Sequence, residues 1–279
     1  MFKAFEKGIR KKNMFKMQAY KSFEALTSRK QYEDAIYTPI GSIYTDANGR
    51  SFRLSKMQMM QAILSLEREQ ANNMSHIEGS GFSFADLDML KKGRLKDAIS
   101  EEHSHRVPNA VDMVGEFIDL LKDDKWAQDY MVAARKFFNE TAKDAINETS
   151  LALKHRIVAK DKSYIPFEVD KNFIVNEISA ANDVQQTINS YGMLKDTKQF
   201  ASNPLIITGL NNILDRHIEQ VGNLYGLAID VRNFNKVWNV RGLEAGNGDP
   251  TVKAIIEKNW GKKGKALVEQ AVQDIQGPR

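Results

Sequence analysis

Apolar positions along the chain recur mostly at helical spacing. Phe2, Phe5, Ile9, Tyr20 and Phe23 share one face at about 100° per residue, which predicts a helical arm over residues 1–35. Met14 and Met17 fall off that face, so the arm should kink near Asn13 or carry a broad apolar face. Trp126, Tyr130, Ala133 or Ala134, Phe137, Thr141 and Ala145 form the stripe of a long helix from about Lys125 to Leu153. A strand pattern occurs once. Residues 42–45 and 50–54 flank Asp46-Ala-Asn-Gly49, whose Asn48-Gly49 pair supplies the positive φ angles of a tight hairpin. Two strands alone are marginal in water, so the hairpin must lie on helices.

Local punctuation places the remaining elements. Ser55-x-x-Gln58 is a capping box that opens a helix to about His76, stopped at Gly79-Ser80-Gly81. A shorter helix follows over about Phe84–Ile99, and Pro108 can take the first position of a helix to about Lys122. Residues 154–167 break the pattern, with Tyr164-Ile165-Pro166-Phe167 extended because the residue before proline avoids helix. Helices resume at about 170–190. Asn203-Pro204 opens a helix to about Arg232, and Asp249-Pro250 opens the last one, to about Ile275. The expected fold is mainly α, an elongated multi-helix bundle with one small β-hairpin. Three regions follow: a basic N-terminal helical arm over 1–35, a hairpin plus helical bundle over 36–160, and a C-terminal helical region over 161–279 packed on it.

Composition narrows the class. The chain has 279 residues, 42% hydrophobic and 27% charged, as in an ordinary globular protein of about one or two domains. It has no cysteine, which excludes a disulfide scaffold, thiolate metal sites and a cysteine nucleophile. No run approaches the roughly 18 apolar residues of a membrane span, so no transmembrane segment is expected. The basic N-terminus lacks the apolar region of a signal peptide. Charge is uneven. Residues 1–30 hold nine Lys/Arg against Glu6 and Glu24, or +7, so a total of +4 leaves −3 for the rest.

Several constellations bear on chemistry. His103-Ser104-His105 follows Glu101-Glu102, as a solvated loop or a candidate metal site; the zinc-helix signature His-Glu-x-x-His is absent, and no metal or cofactor is expected. Glu69 and His76 lie seven apart on one helical face. They can form an acid–base pair, or His76 can sit at the negative end of the helix dipole. Gly79-Ser80-Gly81 lacks the third glycine and the βαβ setting of a dinucleotide site, and Gly261-Lys-Lys-Gly-Lys265 lacks phosphate-loop spacing. Asn147-Glu148 either fixes helix register through a buried hydrogen bond or faces solvent. Lys3, Lys7, Arg10, Lys11, Lys12, Lys16 and Lys21 interleave with Phe2, Phe5 and Phe15, a combination that suits phosphate backbones, anionic lipid heads or a plain solvated face.

A family resemblance adds to this. Leu54-Ser55, Glu67-Arg68-Glu69-Gln70, His76-Ile77-x-Gly79-x-Gly81, Asn147-Glu148, Lys154-His155-Arg156, Tyr164-Ile165-Pro166-Phe167 with Asp170, Asn203-Pro204-Leu205, Tyr225-Gly226-Leu227-Ala228, Trp260-Gly261 and Asp274-Ile275-Gln276-Gly277 follow in order. This series resembles the helical segments of large polyvalent proteins, giant multidomain polypeptides of phages and conjugative elements, over about residues 50–279. Ile165 stands where the family often has an aromatic, and Gly-Ser-Gly where it often has adjacent glycines. The resemblance implies a non-enzymatic structural or cargo segment that is delivered with, or associated with, DNA. It implies DNA or other virion and mobile-element proteins as partners, a longer polypeptide around the chain, and the bacterial cytoplasm or virion interior as its location. It transfers no catalytic residues. Two alternatives come from the residues: a sequence-nonspecific nucleic-acid module using the basic arm, and an enzyme with a site near His76, His103 and His105.

Overall fold

The computed structural model describes residues 2–27, 29–71, 80–160, 163–170, 203–239, 254–255 and 257–266. The chain is mainly α. Its helices are α1 (Phe2–Lys21), α2 (Arg29–Tyr37), α3 (Lys56–Ala71), α4 (Leu87–Lys91), α5 (Leu95–Ala98), α6 (Val111–Leu121), α7 (Lys125–Lys136), α8 (Lys143–Lys154) and α9 (Leu210–Asn239). A π-helical turn over Phe137–Ala142 joins α7 to α8. The strands are β1 (Pro39–Thr45), β2 (Ser51–Ser55), β3 (Phe82–Phe84), β4 (His105–Val107) and β5 (Leu205–Ile207). The chain packs as two compact units, neither continuous in sequence: residues 1–18, 145–157 and 218–279 form one, and 19–144 and 158–217 the other. The three consecutive regions expected from the sequence do not coincide with these units.

The larger unit is built around α3. Met57, Met59, Met60, Ala62, Ile63, Leu64 and Leu66 are buried on it, and α2, α6, α7, β2 and β5 all pack against it. The predicted capping box is present: Ser55 N–H donates to Gln58 Oε1 at 3.0 Å, and Gln58 N–H reaches Ser55 Oγ at 3.4 Å. The hairpin is also present, β1 antiparallel to β2 with Tyr44 opposite Phe52 and Thr45 opposite Ser51. Its turn needs one left-handed residue, Gly49 at φ +79°, instead of two. Gly49 N–H donates to Asp46 O at 3.0 Å and closes the turn.

The hairpin is not the only β structure. A second sheet has the order β4-β3-β5, with β3 antiparallel to β4 and parallel to β5. Two helical expectations fail here. The apolar run after Pro204 is strand β5, not the first turns of a helix, and the expected helix over Phe84–Ile99 is β3 followed by two short helices. A short apolar run is compatible with either state, and pairing with β3 decides it. Pro108 does not start α6, which begins at Val111 after Ala110. Residues 105–107 are held in β4, and Asn109 takes φ 51° to turn the chain. Gly81 is obligatory in this sheet, since a Cβ there would lie 1.9 Å from Val107 O. That contact accounts for the glycine at the described end of the Gly-Ser-Gly motif.

The expected stripe along 125–153 slips at one position. Trp126, Tyr130, Ala134, Phe137 and Ala145 are buried as expected, but Thr141 is exposed and Ala142 is buried in its place. Both positions lie in the π turn, which shifts the face locally.

In the smaller unit, α1 runs unbroken through Asn13, and its buried positions are Gly8, Phe15 and Ala19, the last already in the larger unit. The predicted face divides: Ile9 and Tyr20 are both 45% exposed, Phe23 beyond the helix is buried, and the side chains of Phe2 and Phe5 lie outside the described residues. The reason lies in α9. A Cβ on Gly8 would meet Gly226 O at 2.6 Å, so the two helices cross backbone to backbone. The helices expected at 170–190 and from Asp249-Pro250, and the glycine loop between Gly242 and Gly248, lie largely outside the described residues; 254–255 and 257–266 are helical.

Candidate functional site

A polar cluster lies where the hairpin meets β4. The turn folds so that the Asp46 carboxylate points back into it. Asp46 Oδ1 accepts from Asn48 N–H and Arg50 N–H, both at 2.9 Å, and Oδ2 accepts from Arg50 Nε at 2.7 Å. His105 Nδ1 lies 3.1 Å from the same Oδ2. The Asp46 side chain has no exposed surface. Burial by itself pushes its carboxyl up, but the Arg50 N–H, His105, the Asn48 N–H and the Arg50 guanidinium outweigh it and hold it below the ordinary carboxylate range. Arg50 also donates to the carbonyls of Glu102 and Ser104, and Ala47 N–H donates to Arg106 O at 2.8 Å. The turn is therefore bolted along the whole 102–106 segment.

This arrangement corrects the loop reading for His105, whereas His103 and Ser104 lie outside any helix or strand, as expected. His105 opens β4, stacks on Phe52 at 4.5 Å with rings 6° apart, and directs Nε2 toward Asp86 Oδ2 at 3.5 Å. Both ring nitrogens thus face carboxylates. Asp86 is itself engaged, because its Oδ1 accepts from Met89 N–H at 2.8 Å and caps α4. His103 points elsewhere, its Nδ1 3.1 Å from Ser100 Oγ. That hydroxyl donates to Asp97 O at 2.7 Å, so its proton is committed away from the imidazole, the reverse of what an activated serine requires. His103 and His105 do not converge on one point. Among the described residues no group of three or more His, Asp or Glu could hold a metal ion. His76 and the side chain of Glu69 lie outside the described residues.

Buried phenols form a second candidate. Tyr130 is 1% exposed and packs on Trp126, Phe23 and Tyr32. Burial pushes its hydroxyl far up, and burial with Asp215 nearby pushes Tyr32 up to about 12. Neither ionises near neutrality, so they act as hydrogen-bonding core groups.

A buried amide staple joins α3 to the start of α9. Gln61 Oε1 accepts from Thr208 N–H at 2.9 Å and Gly209 N–H at 2.7 Å, while Nε2 donates to Ile206 O at 2.9 Å. Sequence reasoning passed over Gln61; its one signal is a polar residue inside the Met57–Leu66 run.

The basic arm divides by face. Lys11 Nζ lies 3.0 Å from Glu148 Oε1 and 3.5 Å from the Tyr225 ring centroid, and Tyr225 OH donates to Glu148 Oε2 at 3.1 Å. Glu148 thus ties α8 to α1 and α9 from an exposed position, while Asn147 is half-buried beside it. Lys12 pairs with Glu219 at 3.1 Å, and Lys16 pairs with the same carboxylate. Lys7, Arg10 and Lys21 are exposed and form no ion pair among the described residues. The Lys3 side chain lies outside the described residues. Lys262 and Lys263 of the Gly261–Lys265 stretch are exposed, and Lys265 pairs with Glu257 at 2.7 Å.

Among the described residues no helix is long and apolar enough to cross a membrane. No family model, no curated protein and no solved structure matches the chain.

Proposed function

We propose that the chain is a non-enzymatic structural or cargo segment of a phage or mobile-element polyvalent protein, delivered with or associated with DNA. The observation that supports this reading is how His105 and the polar groups around His103 and His105 are used. Asp46, Arg50 and His105 hold the hairpin to β4, and Ser100 commits its proton to a backbone carbonyl. Groups committed in this way stabilise a rigid body; they do not present a nucleophile or a base to a substrate. An elongated bundle belongs to the same proposal and would be read from small-angle scattering. The decisive experiment is mass spectrometry of DNA-containing particles from the producing host, with and without the gene. Peptides of this chain should be found inside nuclease-resistant particles or in the recipient cell. Confinement to the producer's cytosol would overturn the reading.

The nucleic-acid alternative draws on fewer cations than the sequence offered. Lys11, Lys12 and Lys16 are paired with Glu148 and Glu219, which leaves Lys7, Arg10 and Lys21 of its described residues. Three phosphate contacts give a log–log salt slope of only about −3 on duplex DNA.

A further inference from the structure

Helix α1 has an outer face that no described residue of its own unit covers. Ile9, Met14 and Met17 are 45%, 57% and 65% exposed, and Lys7 and Arg10 stand exposed beside them. At about 100° per residue these five side chains fall within one sector of roughly 160°. The opposite face, through Gly8 and Phe15, is the one turned to α9. Exposure of the apolar residues is therefore imposed by the backbone crossing, since rotating α1 to bury them would drive side chains into Gly226. Glu6 is the one acid among the described α1 side chains. A second segment of the same unit has the same chemistry: Trp260 is 64% and Ile255 43% exposed, with Lys258, Lys262 and Lys263 exposed around them.

We propose that the outer face of α1 docks in the plane of an anionic lipid surface, with the Trp260 segment as a further contact of the same kind. The charges alone would suit any polyanion, but the aliphatic side chains select among them. Ile9, Met14 and Met17 have no ring to stack on a base and nothing to hydrogen-bond to a phosphate, so nucleic acid would leave them in water. A lipid surface takes both parts: headgroups neutralise Lys7 and Arg10, and the headgroup–acyl boundary takes up the apolar side chains. Tryptophan is the side chain best suited to that boundary. The proposal stands independently of whether the chain is particle cargo.

The test is co-sedimentation of the full chain with large vesicles, either pure phosphatidylcholine or an equal mixture with phosphatidylglycerol, and in parallel with a duplex DNA oligomer. Binding is expected to the anionic vesicles at low salt and not to the neutral ones. The triple variant Ile9→Ser, Met14→Ser, Met17→Ser should lose about tenfold or more in vesicle partitioning, as should Lys7→Glu with Arg10→Glu. Both variants should keep the parental melting curve, because the altered side chains are exposed. No sedimentation with anionic vesicles at low salt would overturn the proposal. So would vesicle binding that is unchanged in the serine variant, which would make the contact purely electrostatic. DNA binding that competes with vesicles and ignores the serine substitutions would put the nucleic-acid reading in its place.

Discussion

Gly8 and Gly226 face each other with no side chain between them. A Cβ on Gly226 would stand 2.6 Å from Gly8 O and 2.9 Å from Lys12 N, and one on Gly8 would stand 2.6 Å from Gly226 O. The obstructing atoms are backbone, which yields only if a helix moves. Gly226→Ala should therefore destabilise the protein by about 1–2 kcal/mol, an overpacking cost of about 1–3 kcal/mol offset in part by alanine's better helix propensity. Gly115→Ala in α6 is the control, since a Cβ there meets nothing within 4 Å. It should stabilise by up to about 1 kcal/mol. Urea melts of the two variants give opposite signs if the backbone crossing is real.

The hairpin turn gives a purely conformational test. Gly49 has φ +79° and open space around its Cα. Gly49→Ala should cost about 1–2 kcal/mol, the penalty of a left-handed L-residue, and Gly49→Val should cost more because a β-branched side chain resists positive φ further. Unchanged melting of the valine variant would mean that the turn relaxes into another form.

Gln61 should be among the least replaceable polar residues. Gln61→Leu strands Thr208 N–H, Gly209 N–H and Ile206 O in a buried setting. At about 1–3 kcal/mol for each buried polar group left unpaired, a loss of at least about 3 kcal/mol is expected in chemical denaturation. A loss below about 1 kcal/mol would show that these backbone groups find other partners.

Acid should unfold the protein through a small set of carboxylates. Asp46, Asp124 and Glu219 are all held below their ordinary values. In each case burial pushes upward and is outweighed: at Asp46 by the turn N–H groups, His105 and Arg50, at Asp124 by Lys56 with the Ala127 and Trp126 N–H groups, and at Glu219 by Lys16 and Lys12. A folded-state value below the unfolded one contributes stability that is complete above the unfolded value of about 4 and lost as pH falls through the folded value. The contribution of these three groups should thus be complete from pH 7 to about 5 and fall away below about 4, read from thermal melts. Asp46→Asn should be less stable than the parent at pH 7 and lose less on acidification.

His155 ends α8 in the left-handed region at φ 55°, with its N–H bonded to Leu151 O at 3.0 Å. This is the helix-ending position that glycine fills without strain. His155→Gly should raise stability by about 1 kcal/mol, measured as a higher midpoint at unchanged denaturant slope.

What the sequence determined by itself was local. Ser55-x-x-Gln58 caps α3, and Asp46 through Gly49 turns the hairpin, because each motif satisfies its own backbone groups within four residues. The helical class followed from the 3.6-residue period. The tertiary structure decided what depends on distant partners. Helix α1 has apolar residues all round, so periodicity could not choose its inner face; Gly226, more than 200 residues away, chose it by letting the backbones touch. Residues 205–207 are equally apolar as helix or strand, and they became β5 because β3 offered a ladder and Gln61 held the chain at its end. Within the π turn the buried position moved from Thr141 to Ala142, which no spacing rule encodes. His105 was tied to the hairpin only when the fold brought Asp46 to its Nδ1. Short-range hydrogen bonds are written in neighbouring residues, whereas the choice between two equally apolar faces is made by whatever surface packs against them.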